Sequence, residues 1–142
     1  MNETKRPTCK QRWAKHKNSR FADLRKLWKL YQKDCEASDP DVGNLYEYGL
    51  SFDYVAPGTF PEQKEGYWRY QLSWGGPSDE IRFYSSSPDD VPYRITYCFM
   101  DWFDGHERKL IGRDEELARE LWDWFSETGS VEAEYNKARS DV

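Results

Sequence analysis

Hydrophobic positions along the chain fall into two stretches of helical spacing around a block of alternation. Phe21, Leu24, Trp28, Tyr31 and Cys35 recur every three or four residues, with Leu27 and Leu30 widening the stripe. This predicts a first amphipathic helix, capped by Asn18 or Ser19 and ending near Ala37, ahead of Asp39-Pro40. Its polar side shows Arg25, Lys26, Lys29 and Lys33. From 45 to 55 the pattern turns to alternation. Tyr46, Tyr48, Leu50, Phe52 and Tyr54 point one way, while Glu47, Gly49, Ser51 and Asp53 point the other, as in a strand. Residues 56–66 hold two prolines and two glycines and form a loop longer than a hairpin needs.

Residues 67–84, YWRYQLSWGGPSDEIRFY, predict a hairpin about Gly75-Gly76-Pro77-Ser78. Pairing Trp74 with Asp79 sets Leu72 against Ile81 and Tyr70 against Phe83, with Trp68 on the same apolar face. The polar face then pairs Ser73 with Glu80, Gln71 with Arg82, and Arg69 with Tyr84. A strand over 93–103 follows a polar turn at 85–90. Asp104-Gly105, a strong two-residue turn signal, would return 106–111 as a last strand. That register pairs Phe103 with His106, Asp101 with Arg108, and Phe99 with Leu110. A second helix runs from Arg113 or Asp114 to Thr128, with acidic residues in its first turn, an apolar stripe of Leu117, Leu121, Trp124 and Phe125, and Gly129 as its stop. Residues 130–139 add a last helical turn or two.

The resulting fold class is α+β: an antiparallel sheet of four to five strands, with an N-terminal basic helix and a C-terminal acidic helix on one face. Residues 1–18 read as a flexible basic arm and 19–142 as one domain. At 142 residues one domain is the natural reading. Aromatics make up 17% of the chain against a low apolar total of 37%, so the core is expected to be built from a few bulky rings, each burying about 150–250 Å².

Charge is unevenly placed. Residues 1–37 carry 11 Lys and Arg against 4 Asp and Glu, whereas 38–142 carry 10 against 22. A basic segment on an acidic body raises nucleic acid as a partner. Lys10, Arg12, Trp13, Lys15, Lys17, Arg25, Lys26 and Lys29 would supply the cations and one stacking ring. The competing reading lays the same helix across the acidic body of its own fold, with Trp13 docked, and Trp13 favours docking. Three cysteines, Cys9, Cys35 and Cys98, are far apart and lack metal spacing, so they read as reduced thiols of a cytoplasmic protein. No apolar run suggests a signal peptide or a membrane span.

Catalytic motifs are sparse. Nucleotide loop, nucleophile elbow and HExxH are all missing, and only two histidines occur. Asp101, Asp104, His106 and Glu107 cluster in sequence, but solvated turn residues explain them, so no metal or cofactor is assigned. The stretch Leu72-Ser73-Trp74-Gly75-Gly76-Pro77-Ser78-Asp79-Glu80 resembles a motif in small uncharacterised accessory proteins of bacterial plasmids and other mobile elements. That resemblance implies an accessory or counter-defence setting and brings no activity or site residue with it. The favoured function is therefore a non-enzymatic interaction protein, with Arg69, Gln71, Arg82 and Tyr84 as candidate anchors on an uncovered sheet face. Those long side chains equally suit simple cover of the sheet. A nucleic-acid-binding accessory protein is the alternative, and a small enzyme with a pocket built from distant residues is the third reading.

Overall fold

The structure is a computed structural model that describes residues 7–140. The first helix, α1 (Cys9–Lys33), begins ten residues earlier than periodicity alone suggests. Thr8 caps it in a capping box: its hydroxyl accepts from the Gln11 amide, and the Gln11 side chain accepts from the Thr8 amide. The Cys9 amide donates to Asp104 Oδ2 at 2.8 Å, a cap supplied from the far side of the fold. Residues 9–18 of the expected arm over 1–18 are thus helical, with Thr8 as their cap; residues 1–6 lie outside the described residues. The reason is physical. Cys9, Trp13, His16, Arg20, Leu24 and Leu27 keep helical spacing, but two members of the buried-side stripe are polar and read as breaks in it. Trp13 is buried, and its indole N–H donates to the Tyr97 carbonyl at 2.8 Å. The helix ends at Lys33, where the extended backbone of Asp34 breaks it.

A single helical turn, α2 (Leu45–Tyr48), replaces the first half of the expected strand. Asn44 caps it by accepting from the Glu47 amide, a signal that outweighs the tyrosine alternation. Five antiparallel strands follow in meander order: β1 (Ser51–Val55), β2 (Tyr67–Ser73), β3 (Pro77–Tyr84), β4 (Arg94–Asp101) and β5 (Asp104–Lys109). Then come α3 (Gly112–Glu127) and α4 (Ser130–Ser140). At Gly49 a Cβ would stand 2.1 Å from the Tyr70 ring, so only glycine admits that buried tyrosine.

Both hairpin registers differ from expectation while the faces stay as predicted. Across β2 and β3, Trp68 faces Phe83, Tyr70 faces Ile81, and an irregularity between Gln71 and Ser73 brings Ser73 to Asp79. The turn is Trp74-Gly75-Gly76, and Pro77 already pairs with Asp101 of β4. Face alternation excludes odd slips only; turn geometry chooses among the even ones. Across β4 and β5, Asp101 faces Asp104, Phe99 faces His106 and Tyr97 faces Arg108. The chain turns at Trp102-Phe103, because Asp104 is committed to capping α1.

The helices pack on one face of the sheet. Trp68, Tyr70, Ile81, Phe83, Ile95, Tyr97 and Phe99 meet Phe21, Leu24 and Leu27 of α1 and Leu117, Leu121, Trp122 and Phe125 of α3 in one continuous core. Aromatic rings dominate it: Phe83 lies 5.4 Å from Trp122, and Trp68 lies 5.2 Å from Trp122. The Trp68 indole N–H donates to the Val131 carbonyl at 2.9 Å, which ties α4 to the sheet.

Candidate interaction surfaces

Alternation along β1 to β5 sends Asp53, Arg69, Gln71, Glu80, Arg82, Tyr84, Arg94, Thr96, Cys98, Glu107 and Lys109 to the face away from the helices. Arg69, Gln71, Arg82 and Tyr84 do share that face, but the slipped register sets Arg69 against Arg82 and Gln71 against Glu80. Two like charges opposite each other need separate partners. Arg69 binds Asp53 through two nitrogens at 3.0 and 2.8 Å. Arg82 lies between Glu80 at 2.7 Å and Glu107 at 2.9 Å, with its guanidinium 4.7 Å above the Tyr67 ring. Burial pulls the Arg82 pKa down, but the Cys98 thiol, Glu80 and Glu107 outweigh it and hold the group above its ordinary value.

Glu107 also accepts from the Tyr84 hydroxyl and, at 2.6 Å, from the Thr96 hydroxyl. Tyr84 is buried, and burial followed by the Glu107 bond pushes its pKa up to about 12. Over this floor the 60–65 loop forms a cleft of about 710 Å³. Its anchor is Glu65, which accepts from the Tyr93 hydroxyl and from Arg94, both at 2.7 Å. Those two bonds, Arg94 first, hold the Glu65 carboxyl below its ordinary range. The predicted anchors thus form a self-paired, rigid polar sheet surface, with Arg82 and Tyr84 turned inward to neighbours of their own fold.

The basic side of α1 is engaged with the acidic body. Arg12 pairs with Asp101 at 2.7 Å, Lys17 and Arg25 both with Asp114 at 2.6 and 2.9 Å, and Lys26 with Asp39 at 3.0 Å. Lys10, Lys15 and Lys29 are exposed and form no ion pair among the described residues. Of the eight candidates for nucleic-acid contact, Trp13 is thus in the core and four cations are spent internally. A further pair was not foreseen. Arg20 grips Asp79 at 2.7 and 3.1 Å, and Asp79 also accepts from the Tyr97 and Ser73 hydroxyls.

The sequence cluster Asp101, Asp104, His106 and Glu107 is dispersed by the fold. Asp101 pairs with Arg12, Asp104 caps α1, Glu107 lies on the helix-free face, and His106 stands edge-on to Trp13 on the other. Among the described residues no group of three or more His, Cys, Asp or Glu is placed to hold a metal.

A second surface was missed by sequence reasoning. The β2–β3 and β4–β5 turns meet at one end of the sheet, where the Trp102 amide donates to the Gly76 carbonyl at 3.4 Å. Trp74, Trp102 and Phe103 are 75%, 73% and 104% exposed there. Trp102 has φ of 59°, the left-handed region that a bulky side chain rarely enters. The available signal was Trp74 beside Gly75-Gly76, an aromatic at a turn apex; the strong turn dipeptide Asp104-Gly105 drew attention away from Trp102-Phe103. Among the described residues no helix is long and apolar enough to cross a membrane. No family model, curated protein or solved structure matches the chain.

Proposed function

We propose that this chain is a non-enzymatic protein-binding module that docks its partner on the aromatic end of the sheet. The observation that carries the reading is the exposure of Trp74, Trp102 and Phe103 on two hairpin turns that a backbone bond joins at one end of the sheet. Large aromatics dominate binding energy at protein interfaces, and three largely exposed ones gathered at one end of a sheet are candidates for such anchors. Antiparallel pairing holds both turns in place, so little ordering is required on association. The self-paired polar face beside them suits the rim of such an interface rather than its anchor. Its three free cysteines suit a reducing, cytoplasmic setting. The resemblance of residues 72–80 to mobile-element proteins suits an accessory or counter-defence role in that setting.

The test compares two variants for stability and for capture of a partner from the native host. Trp74→Ser/Trp102→Ser/Phe103→Ser is expected to keep the fold and lose capture. Arg69→Ala/Gln71→Ala, on the helix-free face, is expected to retain it. A folded triple variant that captures the same partner with unchanged affinity would sink the proposal.

A further inference from the structure

The strand β3 leaves the Trp74–Gly76 turn at Pro77 and ends at Tyr84, so the connection that follows it lies at the other end of the sheet from the exposed aromatics. There a crevice of about 330 Å³ opens between that connection and the junction of α3 and α4. Four carboxylates line it, those of Asp89, Asp90, Asp123 and Glu132, and no lysine or arginine does. Asp90 accepts from the Ser87 hydroxyl at 3.0 Å, whereas the exposed carboxylates of Asp89, Asp123 and Glu132 have no partner among the described residues.

An acidic rim alone is a solvated surface, but this one surrounds an unpaired donor. Trp122 is only 4% exposed, packed against Trp68 and Phe83. Three other buried indoles donate within the fold, Trp13 to Tyr97, Trp68 to Val131 and Trp124 to Tyr31. The Trp122 N–H finds no acceptor among the described residues. The polar side-chain atoms there that are both unpaired and sealed from solvent are Trp28 Nε1 and Asp101 Oδ1. Trp122 Nε1 is therefore unpaired but open, in the small part of the ring that reaches this crevice.

The occupant must meet two demands at once. The indole N–H needs an acceptor, and the carboxylates repel any acceptor that is itself an anion. Glu132 lies in the first turn of α4 and offsets the positive end of that helix, which removes the other source of attraction for an anion. A neutral carbonyl carried beside a cationic side chain satisfies both. Pro88, Val91 and Val131 complete the wall, and they suit the methylene stem of a lysine, which lies along apolar surface while its ammonium stays at the wet rim. Residues 38–142 hold 10 Lys and Arg against 22 Asp and Glu, so a basic partner is steered toward this body.

We infer that the crevice binds a lysine-bearing segment of a partner protein, with one main-chain carbonyl accepting from the Trp122 indole N–H and the ammonium held by the rim of Asp89, Asp123 and Glu132. The site lies apart from the docking surface proposed above, and each stands or falls alone.

The experiment titrates the 15N-labelled full chain with acetyl-Ala-Lys-Ala-amide and, in parallel, with its norleucine analogue, which keeps the carbonyls and the stem but lacks the charge. The lysine peptide is expected to bind with a Kd of about 1 mM and to move the Trp122 indole N–H downfield in a saturable way. The norleucine peptide should bind at least about tenfold more weakly. Trp122 itself stays in place, because replacing it would open the core. Asp89→Asn/Asp123→Asn changes two exposed side chains that hold nothing in the fold; it should keep the unfolding midpoint and weaken the lysine peptide by about tenfold. Equal binding of the two peptides overturns the inference, as does undiminished binding by the folded double variant. A saturable response that leaves the Trp122 indole unmoved overturns it too, and so does no saturable response, which would leave that N–H to water.

Discussion

Removing the Arg20 guanidinium tests the architecture at its least expected point, a charged pair beneath α1. Asp79 projects from β3 onto the helix-covered face, opposite Phe99, with a side chain only 4% exposed. Arg20 reaches it with two nitrogens and remains 27% exposed, with its third nitrogen on the Tyr48 hydroxyl at 3.2 Å. Burial lowers the Arg20 pKa, but the hydrogen bonds that it donates to Asp79 and Tyr48 hold it above its ordinary value. Breaking a buried pair by deleting one member costs about 3–5 kcal/mol, because the survivor stays charged without its partner. Partial solvent access at the arginine end reduces that figure, so Arg20→Met should cost about 2–4 kcal/mol.

Urea unfolding followed by tryptophan fluorescence reads this directly, as a fall in midpoint at constant slope. The diagnostic comparison is Arg20→Met/Asp79→Asn. Asparagine still accepts from the Tyr97 hydroxyl and leaves no orphan charge, so the double variant should be less destabilised than Arg20→Met alone. Two additive single costs, or a cost below about 1 kcal/mol for Arg20→Met, would show that α1 does not deliver Arg20 to the sheet.

Trp13→Ala should destabilise by about 3–5 kcal/mol through lost burial and the cavity left beside Tyr97; an unchanged thermal midpoint would mean that residues 9–18 do not dock. For Asp114, burial alone would raise the pKa, but bonds from Lys17 and then Arg25 outweigh it and leave the folded value lowered. Its contribution is therefore present above the unfolded value of 3.8 and is lost as pH falls through the folded one. Asp114→Asn should flatten the acid limb of stability against pH between about 5 and the folded value, and an unaltered limb would remove Asp114 from the account.

Side-chain parity was legible in the sequence, and much of the fold followed from it. Trp68, Tyr70, Ile81 and Phe83 could share a face in only one way, so the sheet, its helix-covered side and the uncovered strip holding Arg69 and Arg82 were all readable. Register was not, because slips of two residues preserve every face. That error decided the fate of the candidate site. Glu107, which ties down Arg82 and Tyr84, reaches them only when Phe99 faces His106, four positions away from the register that Asp104-Gly105 suggested. The start of α1 was obscured for a related reason. His16 and Arg20 occupy buried-side positions as polar residues, one stacked 4.1 Å from the Phe99 ring and the other bound to Asp79, and hydropathy alone scores both as interruptions.

The turn at Trp102-Phe103 separates a structural requirement from a functional one. Among the described residues only Trp102 and Glu62 enter positive φ without being glycine. A side chain in that region costs roughly 1–2 kcal/mol, and glycine removes the steric part of it at some entropic expense. Trp102 contributes nothing evident in return to the fold: the indole is largely exposed, and the bond to the Gly76 carbonyl comes from its backbone amide, which glycine keeps. Trp102→Gly should therefore raise stability by about 0.5–1 kcal/mol while reducing partner capture. Opposite signs in the two assays are what a strained, retained binding residue produces. A destabilised Trp102→Gly variant would show instead that the indole packs as a structural lid on the sheet end, and the case for a docking surface there would fall with it.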